Sequence, residues 1–358
     1  MTWYWQDKPY SLEQIATGDF VAQDEFMESA WTFAQQWLNG AMTFVLPTSG
    51  STGKPKNITL TRAQMQASAQ ATAEALQLAC HKTALLAINP AYVGGKMMLV
   101  RALEYGLALT GIPPARNPLA TNTALFERQI YDFIALVPAQ LYTVATETPD
   151  LLACLQDSKA IILGGGAVSE SLLQAIQNLK APLYNTYGMT ETVSHIALKR
   201  LNDAEKSSYF TAFKNVQLAT DERNCLKICG TVTQNEWIQT HDVVQLIDEK
   251  RFIWIGRADN ILNTGGIKVQ IEVLETKIEA ILKQLNLFMS FAIVGIADAQ
   301  WQQKIVLFLE INALPTDLSN ALWKSLKTCL PRYEVPKEIR FLAQFPKTDT
   351  GKIKRADL

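Results

Sequence analysis

The chain has 358 residues, 48% of them hydrophobic and 19% charged, with a formal net charge of −1. That length allows two domains with a buried core, and that composition is globular. The near-neutral charge excludes the basic footprint of a nucleic-acid binder, and no apolar run reaches the roughly 20 residues of a membrane helix.

In chain order, residues 1–40 are rich in Trp and Phe and are expected to be helical. Phe26, Ala30, Phe33, Ala34 and Trp37 recur at helical spacing. Thr43–Leu46 reads as a strand, followed by a Gly/Ser/Thr/Lys loop over 48–56 and a second strand over Asn57–Thr61. The Ala/Gln-rich stretch Arg62–Ala79 predicts a helix. Strands over Thr83–Ile88, Phe133–Val137 and Ala160–Leu163 then alternate with helices over Lys96–Tyr105 and Glu170–Leu179, which argues for a layered α/β domain. From Ser194 to Trp254 short alternating strands predict an antiparallel β subdomain. After residue 257 a helix over Ile271–Leu285, strands at Phe291–Val294 and Ile305–Ile311, a helix at Leu318–Cys329 and a strand at Ile339–Leu342 make a small α+β domain. The expected division is 1–257 and 258–358.

The N-terminus, Met1-Thr2-Trp3-Tyr4-Trp5, shows no basic segment leading into an apolar one, so no signal peptide is read. The five cysteines, Cys80, Cys154, Cys225, Cys229 and Cys329, are scattered and odd in number, unlike a disulfide framework, and a cytoplasmic location is expected. Cys225 and Cys229 fall on one face of a strand. With no second Cys/His pair at zinc-site spacing, they read as small buried residues rather than metal ligands.

Four segments carry chemistry. Thr48-Ser49-Gly50-Ser51-Thr52-Gly53-Lys54-Pro55-Lys56 puts glycines, hydroxyls and ammonium groups on one loop after a buried strand, the composition that cradles phosphate. It is not a Walker A loop: two residues separate Gly50 from Gly53, and Pro55 follows Lys54. A solvated surface turn is the competing reading. Gly164-Gly165-Gly166 follows a strand and precedes a helix, a weak signal alone. Tyr184-Asn185-Thr186-Tyr187-Gly188-Met189-Thr190-Glu191 combines aromatic, hydroxyl and carboxylate groups, where Glu191 could hold a metal or cap a helix. Pro346-Lys347-Thr348-Asp349-Thr350-Gly351-Lys352-Ile353-Lys354 sets a lysine on a glycine-containing turn.

Taken in order, TSGSTGKPK, GGG, YGMTE, GRADNILNTGGIKVQIEVLE and PKTDTGKIKR resemble the adenylate-forming superfamily of acyl- and aryl-CoA synthetases, peptide-synthetase adenylation domains and luciferases. The resemblance runs from about Thr43 to the C-terminus. It implies ATP, Mg²⁺ and coenzyme A as reactants, a large α/β domain and a small mobile C-terminal domain. It implies that Thr48–Lys56 closes over the ATP phosphates, that Gly164, Gly165, Gly166 and Tyr187 wall the adenine, and that Thr190 contacts the α-phosphate. Glu191 matches the Mg²⁺ ligand, Asp242 the ribose-binding carboxylate and Arg257 a second nucleotide contact. Asp259 falls at the hinge, and Lys352 matches the lysine that meets the reacting carboxylate. Two departures stand out. His241 occupies a position that is usually Gly, which is tolerable where the backbone avoids positive φ. Only 47 residues precede the phosphate loop, so an N-terminal subdomain is expected to be largely missing, its flank covered by the Trp-rich start or by a second subunit in a homodimer.

Within that superfamily, Tyr187–Ile196 resembles the o-succinylbenzoate–CoA ligases of menaquinone synthesis. Tyr92 stands where many relatives carry a His or an aromatic gate. Arg101 stands where these ligases place a cation near the aromatic carboxylate of the substrate; it is otherwise a solvated helix residue. Ser194 and His195 complete the expected acid site. The alternatives are another aryl- or acyl-CoA ligase, an enzyme delivering its adenylate to a carrier protein, and a non-enzymatic adenylate-binding regulator. The partners expected are small molecules, with neither nucleic acid nor a membrane span.

Overall fold

The structure, a computed structural model, describes residues 1–47, 57–80, 82–346 and 353–358. By its contacts the chain forms two compact units. The first holds Met1–Ala219, Lys227–Ile238 and Leu246–Ile253; the second holds Thr220–Leu226, Gln239–Gln245 and Trp254–Leu358.

The first unit begins with β1 (Thr2–Trp5), β2 (Lys8–Ser11), α1 (Leu12–Thr17) and α2 (Glu25–Leu38). The expectation of helix throughout residues 1–40 is therefore corrected at its start, where a hairpin forms. The reason is legible afterwards: Trp3 and Trp5 alternate at the strand period, and both are fully buried. Trp3 Nε1 donates to the Leu107 carbonyl at 3.0 Å and Trp5 Nε1 to Asp24 at 2.8 Å. The same Asp24 caps α2, accepting from Met27 N. A hairpin, β3 (Thr43–Pro47) and β4 (Asn57–Thr61), leads into α3 (Arg62–Leu76), opened by a Thr61–Gln64 capping box.

The α/β alternation follows: β5 (Thr83–Leu86), α4 (Val93–Tyr105), β6 (Ala108–Gly111), α5 (Thr123–Arg128), β7 (Phe133–Leu136), α6 (Pro138–Glu147), β8 (Ala160–Leu163), α7 (Glu170–Ala175) and β9 (Leu183–Gly188). Helix α7 stops at Ala175, short of the expected Leu179. Strands β7 and β8 are buried along their whole length, as strands covered on both faces must be. Then come β10 (His195–Arg200), β11 (Phe210–Ala212), β12 (Val216–Thr220), β13 (Cys225–Gly230), β14 (Ile238–Leu246) and β15 (Arg251–Arg257). The residues of strands β12 to β15 are divided between the two units. Cys225 and Cys229 are buried free thiols.

The strand order β15-β11-β10-β9-β8-β7-β5-β6-β1-β2 spans the first unit. Pairing is parallel from β9 through to β1 and antiparallel beyond both ends. The antiparallel segment expected after Ser194 thus continues the main sheet through β10, β11 and β15. At the opposite end the Trp-rich start supplies the last two strands, with Gly111 leaving room for the Trp5 ring where any Cβ would collide.

The second unit carries β16 (Ile261–Thr264), β17 (Ile267–Gln270), α8 (Ile271–Gln284), β18 (Phe291–Asp298), β19 (Gln302–Glu310), α9 (Thr316–Cys329) and β20 (Glu338–Leu342). β18 and β19 pair antiparallel and β20 lies parallel to β19. Leu274, Ile278 and Ile281 of α8 and Leu322 and Leu326 of α9 cover one face of this sheet. Phe345, Ile353 and Leu358 pack with Ala292, Val306 and Phe308 in a further core cluster.

Trp31 sits among Trp3, Trp5 and Tyr10 at centroid distances of 5.7, 5.5 and 6.0 Å, and its indole N–H has no partner among the described residues. Trp31→Ala should cost about 3–5 kcal/mol in urea unfolding, whereas Trp31→Phe, which also removes the orphaned donor, should cost much less. Equal losses for the two would show that the indole itself, not the ring's bulk, is what the cluster requires.

Candidate active site

The carboxyl ends of parallel strands are where open α/β sheets place ligands, and the first unit's sequence motifs converge there. β8 ends at Leu163 and runs into Gly164-Gly165-Gly166, with Gly165 at φ +78°. Thr186 Oγ1 donates to the Leu163 carbonyl at 2.9 Å, tying this turn to β9, and a Cβ on Gly164 would stand 3.0 Å from that same hydroxyl. The next residue, Tyr187, has its ring 5.0 Å from Phe252 and 5.7 Å from Phe210, which stack on each other. These rings form an aromatic wall beside the glycine turn.

β9 then reverses into β10 within a few residues. Val193 lies at φ +66°, ψ −56°, and Ser194 N donates to the Thr192 carbonyl at 2.7 Å. This is the rare, strained form of the γ-turn, here centred on a buried β-branched residue. Thr192, fully buried, holds the turn: its Oγ1 accepts from Met189 N at 3.1 Å and lies 2.9 Å from the Ser194 carbonyl. Gly188 pairs with His195, and a Cβ there would collide with the Ser194 backbone. The reversal sets Thr190 in a buried position and leaves Glu191 half-buried, with no pairing partner for its carboxylate among the described residues. The described residues contain no cluster of three His, Cys, Asp or Glu side chains that could hold a metal by themselves.

Arg101 lies close to this turn. The residue is 1% exposed, so it is not a solvated helix residue. Its Nη2 donates to Ser194 Oγ at 3.0 Å, its Nε has no partner, and no carboxylate among the described residues forms an ion pair with it. Burial lowers its pKa to about 9. His195 lies alongside, with Nδ1 3.3 Å from Ser194 Oγ and Nε2 3.0 Å from Thr72 Oγ1. Burial first, and the Arg101 charge second, hold the imidazole pKa well below 6.5. Arg101, Ser194 and His195, singled out separately in the sequence, are thus one hydrogen-bonded group. Tyr92 stands at the N-cap of α4, nine residues from Arg101 and so ~13 Å along the helix axis. Sequence reasoning missed Thr72 and Thr192, since buried threonines in an Ala-rich helix and a short turn carry no pattern of their own.

The second unit brings its own residues together. Asp242 accepts from Trp254 Nε1 at 3.1 Å and lies 3.8 Å from Arg257 Nη1. Arg257 also grips Asp259 through two hydrogen bonds of 2.8 and 2.6 Å, which hold the Asp259 carboxyl below its ordinary range. His241 is not among the residues with positive φ, so the departure from glycine at that position brings no backbone strain. Residues 48–56 and Lys352 lie outside the described residues.

Residues 10–224 match the AMP-binding enzyme family, and residues 277–352 match the AMP-binding enzyme C-terminal domain. The chain belongs to the AMP-binding enzyme family. A solved structure from Dyadobacter fermentans, described as an acyl-CoA synthetase (AMP-forming)/AMP-acid ligase II-like protein, is 40% identical, with 96% of both chains covered and a TM-score of 0.63. A 2-succinylbenzoate–CoA ligase of Listeria innocua is 25% identical over 97% of this chain and 76% of its own length. The o-succinylbenzoate CoA synthetase of Bacillus subtilis, solved with its acyl-adenylate intermediate, shares the fold at 21% identity and a TM-score of 0.72, over 87% of this chain and 68% of that one. The same enzyme is also known with ATP and a magnesium ion. Membership of the AMP-binding enzymes makes the present chain an AMP-forming acid–CoA ligase in class, and no helix among its described residues is long and apolar enough to cross a membrane.

Because the His195 imidazole is held neutral, the unfolded chain takes up a proton near pH 6.5 that the folded chain refuses. Stability should therefore fall as pH drops below about 6.5, until the lower folded-state pKa is reached. His195→Gln should flatten that part of the curve in pH-dependent urea unfolding. Parallel losses in the two proteins would mean that the imidazole is not held neutral.

Proposed function

We propose that the acid activated by this AMP-forming ligase is o-succinylbenzoate, taken first to its acyl-adenylate and then to its coenzyme A thioester. The observation that carries this reading is Arg101, a fully buried guanidinium with no carboxylate of its own among the described residues. A buried cation costs several kcal/mol to desolvate unless it is paired, so a site that keeps one suits a substrate that brings the missing anion. o-Succinylbenzoate carries two carboxylates. One can react at the adenylate while the second is held by the Arg101 fork, with Ser194 and His195 bracing that fork. The names of the curated relatives point to the same acid.

The remaining roles follow from the chemistry. Gly164, Gly165, Gly166 and Tyr187 would receive the adenine, Asp242 would accept the two ribose hydroxyls, and Arg257 and Thr190 would bind the nucleotide's phosphate side. The half-buried Glu191 carboxylate suits a hard cation that takes its other ligands from phosphate and water, and Mg²⁺ held there would offset negative charge in the pyrophosphate leaving group. Thr48, Ser49, Gly50, Ser51, Thr52, Gly53, Lys54 and Lys56 would cradle the outer phosphates. Lys352 would neutralise the reacting carboxylate and α-phosphate during adenylation. Residues 258–358 would act as a lid hinged at Asp259, withdrawing Lys352 so that the thiol can attack.

Coenzyme A-dependent AMP release across a panel of acids tests the assignment. Turnover confined to o-succinylbenzoate is expected; turnover with a different acid would discard the substrate and keep the class. Arg101→Ala should raise KM for o-succinylbenzoate by about tenfold or more, as loss of a charge-assisted hydrogen bond does, and leave KM for ATP nearly unaffected. A variant indifferent to the second carboxylate would remove the case for o-succinylbenzoate.

Lys352→Ala should abolish adenylate formation while sparing thioester formation from supplied adenylate. Equal loss of both half-reactions would reassign Lys352.

A further inference from the structure

The hydrogen bonds around Arg101 have a direction that can be worked out from one end. Ser68 O is a backbone carbonyl and can only accept. Thr72 Oγ1 lies 3.0 Å from it and has a single hydrogen to give. With that hydrogen committed to Ser68 O, Thr72 Oγ1 must accept at its other contact, His195 Nε2, 3.0 Å away. The imidazole, held neutral by burial, then carries its proton on Nε2 and leaves Nδ1 bare. The bare Nδ1 accepts from the Ser194 hydroxyl at 3.3 Å, which frees the Ser194 Oγ lone pairs for Arg101 Nη2 at 3.0 Å. The opposite tautomer would make Ser194 Oγ accept from both neighbours and leave its own hydrogen without an acceptor among the described residues. Thr72 and His195 are both buried, Thr72 completely, so no exposed alternative competes at that end.

We propose that Thr72 is a positioning residue for acid recognition: by anchoring its hydroxyl on Ser68 O it fixes the His195 tautomer, orients the Ser194 hydroxyl and so aims the Arg101 guanidinium. This rests on the reading of Arg101 as the acid-side cation. Thr72 touches neither substrate nor reacting atoms in this scheme. It acts through three intervening groups from α3, an element to which no sequence motif drew attention. The arrangement suits a carboxylate-bearing substrate in particular, because every hydrogen between Ser68 and Arg101 is assigned and the guanidinium keeps its Nε and remaining Nη donors for the incoming anion.

The test uses the full-length protein with ¹⁵N-labelled histidine, the His195 signals being assigned by their loss in His195→Gln. Wild type and Thr72→Ser should both show His195 as the neutral Nε2–H tautomer. Thr72→Val, which keeps the shape and removes the hydroxyl, should show a mixed or inverted tautomer. It should also raise KM for o-succinylbenzoate by about tenfold with kcat little changed, and Thr72→Ser should restore both. An Nδ1–H tautomer in the wild type would overturn the proposal, and that spectrum carries the test even if Thr72→Val fails to fold. So would a Thr72→Val protein indistinguishable from wild type, or a Thr72→Ser protein as impaired as the valine variant. The tautomer is read on the free enzyme. Its expected pattern in a protein that does not turn over o-succinylbenzoate would therefore support the relay while sinking the substrate assignment.

Discussion

The tight reversal between β9 and β10 is the constraint on which the proposed acid and nucleotide sites of the first unit both depend. It packs Tyr187, Thr190, Glu191, Ser194 and His195 into one turn, and it does so by holding a buried valine at positive φ. A residue in that conformation costs about 1–3 kcal/mol, which the surroundings must over-determine. Here they do. Thr192 satisfies the backbone on both sides of the turn, Gly188 lets the two strands meet without a side chain between them, and the Val193 side chain is wholly buried. The strained residue therefore stands between the carboxylate proposed to serve the nucleotide side and the hydroxyl proposed to serve the acid side.

A second conflict is electrostatic. Arg101 is the one arginine among the largest fully buried side chains, and a single neutral hydroxyl is all that receives it among the described residues. In the second unit, by contrast, the largely buried Glu275 receives Arg355 through two hydrogen bonds and Ile293 N through another. Lys277 similarly meets Glu334. The contrast supports the proposal that Arg101 is kept for an anion the substrate brings.

Much of this was legible in the sequence, for identifiable reasons. The buried strands at 133–136 and 160–163 announced themselves by continuous apolar runs, and α2, α8 and α9 by helical spacing. Arg101, Ser194 and His195 were reached through motif resemblance, but only the fold shows that they touch, since 93 residues separate Arg101 from its serine. The N-terminal hairpin departs from the helix expected there because the strand-period alternation of Trp3 and Trp5 outweighs the aromatic density of the segment. Thr72 was invisible for a different reason. Its role depends on which hydrogen goes where, and that is fixed by a carbonyl one helical turn earlier and a histidine more than a hundred residues away.

The pairing of β1 with β6 carries a consequence for how the chain is made. Tyr4 and Trp5 sit opposite Thr110 and Gly111, so β1, though it can pair with β2 at once, lacks its second neighbour until some hundred further residues have been made. During that interval a hairpin carrying two large indoles is exposed to solvent. Contacts of such long sequence separation form slowly, and unpaired apolar strands are prone to associate with whatever edge is nearest. The Trp3, Trp5 and Trp31 cluster at this end of the sheet is thus open to wrong association during synthesis until β6 emerges.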